Sequence, residues 1–429
     1  MKPLDYNIVT YGCQMNISDS ERIAGLLESL GFKHSPTPEK SSLIIVNFCS
    51  VRQSAFDRAM DKLKNFPKTK TIIATGCVLE KDKKLVNTFA NCFVPIDKIT
   101  TLPEILKQYG FKIKGNISKT SHYLKLAPSY QSKIVAYIPI MTGCNNFCSY
   151  CVVPYTRNRE ISRPINDIVK EAKQLVDNGI KEIWLLGQNV NSYKYKSYSF
   201  SDLLKKIDDI DGDFWIRFTS SHPKDLSKEL INTFSLCKKI TPYLNLPIQS
   251  GDNEILKKMN RPYTINHYKS LIKTLKESFK KNRKGLESVL SISTDVIVGF
   301  PTETEKQFTN TLNLFKDLKF SNAYISCYSS RPQTVASLLK NNISGCEKKK
   351  REQKLTEIVK KTALQFNNQF KDKIVDVLIL EKIKDLYIGK TMHYQTIKIK
   401  SNKDILGKFV KAKVIKIFPF GLEGKLYEK

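Results

Sequence analysis

The sequence contains no run approaching the roughly 20 apolar residues that a membrane-spanning helix needs, so no membrane span is expected. Its opening, MKPLDYNIVTYG, has no basic stretch followed by an apolar run and small cleavage residues, so no secretory signal is expected and a cytoplasmic location is. Without export to an oxidising compartment, the ten cysteines should be reduced thiols, metal ligands or buried hydrophobes. Arginine is scarce, with 11 among the 71 basic residues, while lysine, asparagine and isoleucine abound. What is present is ordinary for a globular protein: 429 residues, 41% hydrophobic and 26% charged, enough for two or three domains. The net charge of +30 points towards a polyanion, of which nucleic acid is the commonest. An AT-rich genome would produce the same lysine bias, so charge alone does not establish that partner.

The first 120 residues repeat one arrangement. Apolar runs NIVTYGC, SLIIVNFC and TIIATGC end on Cys13, Cys49 and Cys77, and the first two lead into helix-like stretches. In the first of these stretches, SDSERIAGLLESLG, the spacing predicts a helix with a Ser18/Glu21 capping box and Gly31 as its stop. Strands alternating with helices imply a parallel sheet, whose right-handed crossovers place every carboxyl end on one edge. The three cysteines should therefore converge where α/β sheets bind ligands. Cys92 lies outside the pattern and reads as structural.

After a loose polar stretch around residues 114 to 133, KIVAYIPIMTGC should form a strand running into TGCNNFCSYC, which holds Cys144, Cys148 and Cys151. Five more apolar runs follow (EIWLLGQN, DFWIRFTSS, YLNLPIQSG, LSISTDVIVGFP and NAYISCYSS), separated by helical patterns. Six β/α units make an incomplete β/α barrel, whose chemistry belongs at the carboxyl ends of its strands. The three-cysteine loop falls there, with Gln188, Asn189, Ser220, Ser221, Gln249, Ser250 and the segment 299–303. A structural zinc site would want four ligands, and no neighbouring His or Cys offers the fourth. A disulfide would leave one cysteine over. An iron–sulfur cluster on three thiolates keeps one iron free for a substrate or cofactor.

The C-x3-C-x2-C spacing, with Tyr150 just before the last cysteine, resembles the radical S-adenosylmethionine (SAM) superfamily. Two cysteine triplets in successive domains resemble the methylthiotransferases, and among them the MiaB family acting on N6-(dimethylallyl)adenosine in tRNA. The residues carrying this are TYGCQMN at 10–16, GCNNFCSYCVVPYTRNRE at 143–160, LLGQNVNSY at 185–193, RFTSSHP at 217–223, LPIQSG at 246–251 and TDVIVGFP at 294–301.

That resemblance implies a Rossmann-like parallel-sheet domain over 1–118 and a partial (β/α)6 radical SAM barrel over 130–362. It also implies a small antiparallel, OB-like TRAM β-barrel that binds RNA over 363–429. Cys144, Cys148 and Cys151 would hold the SAM-binding [4Fe-4S] cluster, and Cys13, Cys49 and Cys77 an auxiliary [4Fe-4S] cluster. One SAM would methylate sulfur at the auxiliary cluster. A second would yield a 5′-deoxyadenosyl radical that takes hydrogen from C2 of adenosine 37. The radical is needed because an aromatic C2–H bond is inert to acids and bases, so the cofactor carries the hard step. A flavodoxin or ferredoxin would supply electrons, and a monomer is expected.

Tyr150, Gln188, Asn189, Ser220, Gln249 and Ser250 are candidates to contact SAM or the base. Gly299 would allow close backbone approach, with Val298 and Phe300 packing on adenine. His222 could pair with substrate or cap the next helix. Arg157, Arg159, Lys390 and Lys398 are candidates for RNA, the last two in a C-terminal region whose lysines alternate with apolar residues. The chain departs from the family pattern at Asn158, where glycine is usual, at Thr302 in a segment usually FPGET, and in YSSRPQTVASLL against YSPRPGTPA. The alternatives are a methylthiotransferase for threonylcarbamoyl-adenosine tRNA or for a ribosomal protein, and, from another class, a non-catalytic iron–sulfur RNA-binding protein.

Overall fold

In the computed structural model, which describes residues 2–51, 53–113 and 122–428, the first apolar runs become adjacent strands. β1 (Asp5–Thr10) leads into α1 (Gln14–Ser29) and the short β2 (Lys33–His34). β3 (Leu43–Phe48) precedes α2 (Gln53–Lys64), and β4 (Thr71–Gly76) precedes α3 (Glu80–Asn87), β5 (Cys92–Phe93) and α4 (Leu102–Gln108). The order is β2-β1-β3-β4-β5, with every pairing parallel. β3 and β4 are buried along their whole length, as strands covered on both faces must be. The register sets Thr10 opposite Asn47 and Asn47 opposite Thr75, so the three carboxyl ends are level. The polar stretch at 114–121, which includes the expected boundary at 118, lies outside the described residues.

The expected Ser18/Glu21 capping box is corrected. α1 starts at Gln14 with Cys13 as its N-cap, so Ser18 and Glu21 lie inside the helix. This helix is buried on nearly all sides because it is pressed between its own sheet and the next domain. Arg22 pairs with Glu171 at 2.8 Å, Arg163 with the same carboxylate at 2.6 Å, and the Ser18 hydroxyl donates to the Tyr137 carbonyl.

Glu21 carries a pH dependence. Burial pushes its carboxyl from an ordinary 4.5 up to about 7, against the lowering effect of the Gln131 N–H and Arg22. The folded chain thus keeps a proton that the unfolded chain has lost, so stability falls as pH climbs from about 4.5 to about 7 and then levels. Glu21→Gln should remove that slope and stabilise the protein at pH 8 by about 3 kcal/mol. Urea midpoints measured across pH test this; a variant tracking the parent at every pH would refute it.

The next domain contains six parallel strands in chain order. They are β6 (Val135–Pro139), β9 (Glu182–Leu186), β12 (Trp215–Phe218), β13 (Tyr243–Asn245), β14 (Ser291–Val298) and β15 (Asn322–Cys327). β6, β9 and β12 form one sheet and β13, β14 and β15 another, with an Ile216–Ile240 bridge leading from one to the next. The result is an open partial barrel with β15 at its free edge. Around the strands lie α6 (Ile165–Asp177), α7 (Phe200–Asp208), α8 (Lys228–Leu236), α9 (Asn253–Lys258), α10 (Ile265–Asn282), α11 (Glu305–Leu318) and α12 (Gly345–Asn367). Two short hairpin-like pairs complete it: β7 (Met141–Thr142) with β8 (Ile161–Ser162), which flank α5 (Val153–Thr156), and β10 (Lys194–Tyr195) with β11 (Tyr198–Ser199). On β9 the period of two sends Ile183 and Leu185 to the helices, while Trp184 and Leu186 face the lumen beside Tyr137 and Tyr243.

The C-terminal strands β16 (Ile374–Ile383), β17 (Leu386–Thr391), β18 (Thr396–Lys400), β19 (Phe409–Phe418) and β20 (Gly421–Leu426) close into a barrel. All its pairings are antiparallel except β18 with β20. The turn between β17 and β18 plugs the lumen of the larger barrel, where Tyr394 stands 4.6 Å from Tyr243 and 5.1 Å from Trp184. Among the described residues, no helix is long and apolar enough to cross a membrane.

Charge is partitioned by residue type. Arg22, Arg157, Arg163, Arg217, Arg261, Arg283, Arg331 and Arg351 are all buried, whereas Lys348 is the one buried lysine among the described residues.

Candidate active site

Cys13, Cys49 and Cys77 stand just past the carboxyl ends of three neighbouring strands, the last two buried and the first exposed. Two asparagines fix them. Asn16 accepts from the Cys13 backbone N–H at 3.4 Å and donates to the Phe48 carbonyl at 3.0 Å, and its amide also meets Asn47 at 3.2 Å. Asn47 in turn donates to the Asn16 carbonyl and to Ser20 Oγ, both at 2.9 Å. This accounts for the asparagine of TYGCQMN, which positions the first two cysteines together. Burial first, and then the neighbouring Cys77 and Cys13 sulfurs, push the Cys49 thiol up to about 11, so three thiolates persist here only with a cationic partner. Arg157 is the nearest organic cation, its Nε donating to Cys77 Sγ at 3.0 Å.

The second triad lies in the loop cinched by β7 and β8. Cys144 N–H donates to the Asn158 carbonyl at 3.1 Å and Cys151 N–H to that of Cys148 at 2.9 Å. Asn260 Nδ2 donates to the Phe147 carbonyl at 2.9 Å, holding Phe147 at a left-handed φ of 46°. Ser149 Oγ donates to the Lys258 carbonyl at 2.7 Å. Arg261 serves this triad as Arg157 serves the other: its Nη1 reaches Cys148 Sγ at 3.5 Å, while Nε and Nη2 bond Tyr263 Oη and the Pro247 carbonyl. Burial pushes the Cys151 thiol up to about 12, the Cys148 sulfur adding to this and Arg261 opposing it. Tyr150 packs half-buried against a cluster that includes Ile255, Phe300 and Tyr328.

Among the described residues, no three His, Cys, Asp or Glu side chains are gathered tightly enough for a single metal ion. One zinc ion would draw its sulfurs to about 2.3 Å from itself. An iron–sulfur cluster would instead place one iron on each thiolate, and three cysteines are the donor chemistry that such a group takes.

Beyond β9 and β12 the strand ends carry buried polar atoms that lack partners: Gln188 Oε1, Asn189 Oδ1, Asn191 Oδ1, Ser221 Oγ and His222 Nε2. Leaving one such group unmet costs about 1–3 kcal/mol, and these five fall on two neighbouring strand ends, at 188–191 and 221–222. Asn189 Nδ2 donates to Asp225 at 2.7 Å, which turns its oxygen inward. His222 acts as a cap, its Nδ1 accepting from Lys224 N–H at 3.2 Å at the turn Pro223–Asp225, and its Nε2 has no hydrogen-bond partner among the described residues. Burial, with Arg261 and Lys224 adding, drives its pKa down to about 2, so the ring is neutral. Ser220 and Gln249 hold left-handed φ values of 62° and 68° at the same rim.

Several expectations are corrected. Val298 and Phe300 are 1% and 0% exposed and belong to the core, so they offer no face to adenine; Ile297 is the half-buried neighbour, packing beside Tyr150. Gly299 is closed off by Lys348, and its N–H donates to Glu303 at 2.8 Å. Ser250 is fully buried and accepts from Asp252 N–H, a turn role. Arg157 is 5% exposed and out of reach of RNA. Lys390 is half-buried over the Tyr394 ring and donates to Thr396 Oγ1 at 2.8 Å, so it braces the domain junction. Arg159 is exposed and stacks over Phe147 at 4.3 Å, and Lys398 is exposed on β18. The sequence reading missed Arg261, Asn191 and Asp19. In a chain so poor in arginine, each retained arginine was the available signal.

An open six-strand β/α barrel with a three-thiolate loop past its first strand defines the radical SAM class. Residues 138–315 match the radical SAM superfamily and residues 5–94 match "Uncharacterized protein family UPF0004". The fold resembles the radical S-adenosylmethionine methyltransferase TsrM from Kitasatospora setae, solved with cobalamin and a [4Fe-4S] cluster, with a TM-score of 0.56 at 14% identity over 79% of this chain and 74% of that one. It also resembles the cobalamin-dependent S-adenosylmethionine radical enzyme OxsB, with a TM-score of 0.51 at 10% identity over 83% of this chain and 56% of that one. The chain is 36% identical to the tRNA-2-methylthio-N(6)-dimethylallyladenosine synthase of Alkaliphilus oremlandii, over 99% of this chain and 93% of that one. It is equally identical to the synthase of Carboxydothermus hydrogenoformans, over 99% of this chain and 100% of that one. The chain belongs to the tRNA-2-methylthio-N(6)-dimethylallyladenosine synthase family. Membership brings SAM and a [4Fe-4S] cluster as cofactors.

Proposed function

We propose that this chain converts N6-(dimethylallyl)adenosine at position 37 of tRNA to its 2-methylthio derivative, by abstraction of the C2 hydrogen and transfer of a methylthio group. The observation that carries this reading is the full-length likeness to synthases of that name, in a chain whose two cysteine triads are both complete. Cys144, Cys148 and Cys151 hold the SAM-binding [4Fe-4S] cluster, and Cys13, Cys49 and Cys77 hold a second. When bound, these groups supply reductive cleavage of SAM to a 5′-deoxyadenosyl radical and a sulfur that another SAM methylates.

The chain's own residues bind and orient. Gln188, Asn189, Asn191, Ser221 and the neutral His222 offer acceptors and donors to the carboxylate and ribose of SAM or to the base, in a site whose low dielectric strengthens each bond. Ser220 and Gln249 shape the rim, and Tyr150 packs beneath the cysteine loop. Arg159 and Lys398 remain available to tRNA phosphates. Functional units at 1–118, 130–362 and 363–429 carry the second cluster, the radical chemistry and RNA contact respectively. A flavodoxin or ferredoxin delivers electrons to a monomeric enzyme in the cytoplasm.

Mass spectrometry of tRNA nucleosides from a deletion strain tests this. The deletion should abolish 2-methylthio-N6-(dimethylallyl)adenosine; wild type should restore it, and Cys13→Ala and Cys144→Ala should not. Loss of the methylthio group from the threonylcarbamoyl nucleoside instead would keep the chemistry and overturn the substrate. No change in any tRNA nucleoside would exclude tRNA and direct the search to ribosomal proteins.

A further inference from the structure

Arg157 follows Cys151 by six residues, so its backbone belongs to the loop of one triad, yet its guanidinium serves the other. Nε donates to Cys77 Sγ at 3.0 Å, Nη2 pairs with Asp19 at 2.5 Å, and Nη1 reaches Tyr123 Oη at 3.5 Å. The Tyr123 hydroxyl donates onward to Thr142 Oγ1 at 3.2 Å, two residues before Cys144. A continuous chain of polar contacts therefore runs from the sulfur of one triad to the entrance of the other. Arg157 is 5% exposed, Tyr123 1% and Asp19 0%, and Asp19 Oδ1 has no hydrogen-bond partner. Burying a charged pair with one oxygen unmet is costly. A strut between domains could be built more cheaply from apolar side chains. The position of the cation against a thiolate sulfur gives the expense a purpose.

We propose that Arg157 is a positioning residue for the iron–sulfur cluster on Cys13, Cys49 and Cys77, and that with its counter-ion Asp19 it sets that cluster's reduction potential. This rests on the two-cluster reading above. Hydrogen bonds to ligand sulfur and nearby positive charge favour the reduced, more negative cluster. Removing the guanidinium should lower the potential, and removing the Asp19 charge, which partly cancels it, should raise it. An interdomain strut would give no such pair of opposite shifts.

The test uses the full-length chain with Cys144, Cys148 and Cys151 all replaced by alanine, so that one cluster is read, after anaerobic loading with iron and sulfide. Midpoints come from redox titration followed by electron paramagnetic resonance. Arg157→Gln should weaken one-electron reduction about tenfold, about 59 mV, Asp19→Asn should strengthen it, and Arg157→Lys should fall between Arg157→Gln and the parent. Fully loaded Arg157→Gln and Asp19→Asn proteins with the parent's midpoint would overturn the proposal. Should Arg157→Gln fail to fold or load, Asp19→Asn decides: a raised midpoint supports the proposal and an unchanged one refutes it. If the parent takes up no iron, the two-cluster reading falls first and the proposal falls with it.

Discussion

Arg217→Ala is expected to destabilise the protein by about 3–5 kcal/mol, the usual consequence of breaking a buried ion pair from one side. Arg217 lies on the lumen face of β12 and is 1% exposed. Its Nε meets Glu182 at 2.5 Å, Nη1 bonds Thr241 Oγ1 at 2.8 Å and the Met392 carbonyl at 3.0 Å, and Nη2 bonds the Thr391 carbonyl at 2.9 Å. Its guanidinium also lies 5.0 Å from the Tyr394 ring centre. One side chain thus fastens the C-terminal barrel to the floor of the larger one. Alanine would leave the Glu182 charge buried with Trp184 Nε1 as its one remaining side-chain hydrogen-bond donor among the described residues. Lysine should not rescue, because a single ammonium cannot span the four oxygens that the planar fork reaches. Arg217→Met combined with Glu182→Gln should lose far less than the sum of the two single changes, since no buried charge is then left over. Urea unfolding of the parent, the Ala, Lys and Met variants of Arg217, Glu182→Gln and the double variant measures this, and a loss below about 1 kcal/mol for Arg217→Ala would mean that the junction is held by packing alone.

Gly76→Ala should cost at least about 3 kcal/mol, combining left-handed backbone strain with overlap, and, on the proposed two-cluster reading, should empty the N-terminal triad of iron. Gly76 has φ +93°, and a Cβ there would come 2.3 Å from Asn47 Oδ1 and 2.5 Å from the Phe48 carbonyl oxygen. Those are the atoms that carry Cys49 and brace Asn16. The added methyl would therefore push apart two cysteines at once. Gly110→Ala is the control, since φ there is +83° but a Cβ would meet nothing within 4 Å. Both variants bear the backbone strain, but only the first should lose iron. Equal iron contents in the two proteins would mean that the triad tolerates a shifted Asn47.

The cysteine ends of β1, β3 and β4 were legible because each feature is local: an apolar run, a turn and a thiol. The six barrel strands were legible for the same reason, as runs spaced by helical patterns. Partnership across the fold was not. Arg157 looked like a surface residue beside a cluster loop because nothing nearby in sequence names Asp19 or Cys77 as its neighbours. Val298 and Phe300 were misplaced because an apolar residue at a strand end can face either way, and the strand's alternation sends Val298 to the core while Ile297 lies beside Tyr150. The helix cap was misplaced because Cys13 serves as N-cap in place of the usual serine.

The departures from the family pattern carried more structure than the sequence alone revealed. Asn158, Thr302 and Gln333 have φ values of 62°, 69° and 67°. Each takes up the left-handed backbone that glycine adopts freely. Asparagine tolerates it best, and Thr302 is anchored by Lys258 Nζ at 2.6 Å and Asn342 Oδ1 at 3.0 Å.

The burial of eight arginines beside sixty lysines in the sequence has a consequence for how this protein meets a polyanion. Interior positions need a rigid planar fork with several donors, which an ammonium cannot imitate; the surface needs only charge. The exterior charge is mostly that of strongly hydrated ammonium groups, whose hold on a phosphate backbone fades steeply as salt rises. Ionic strength should then set how long a polyanion stays on that surface.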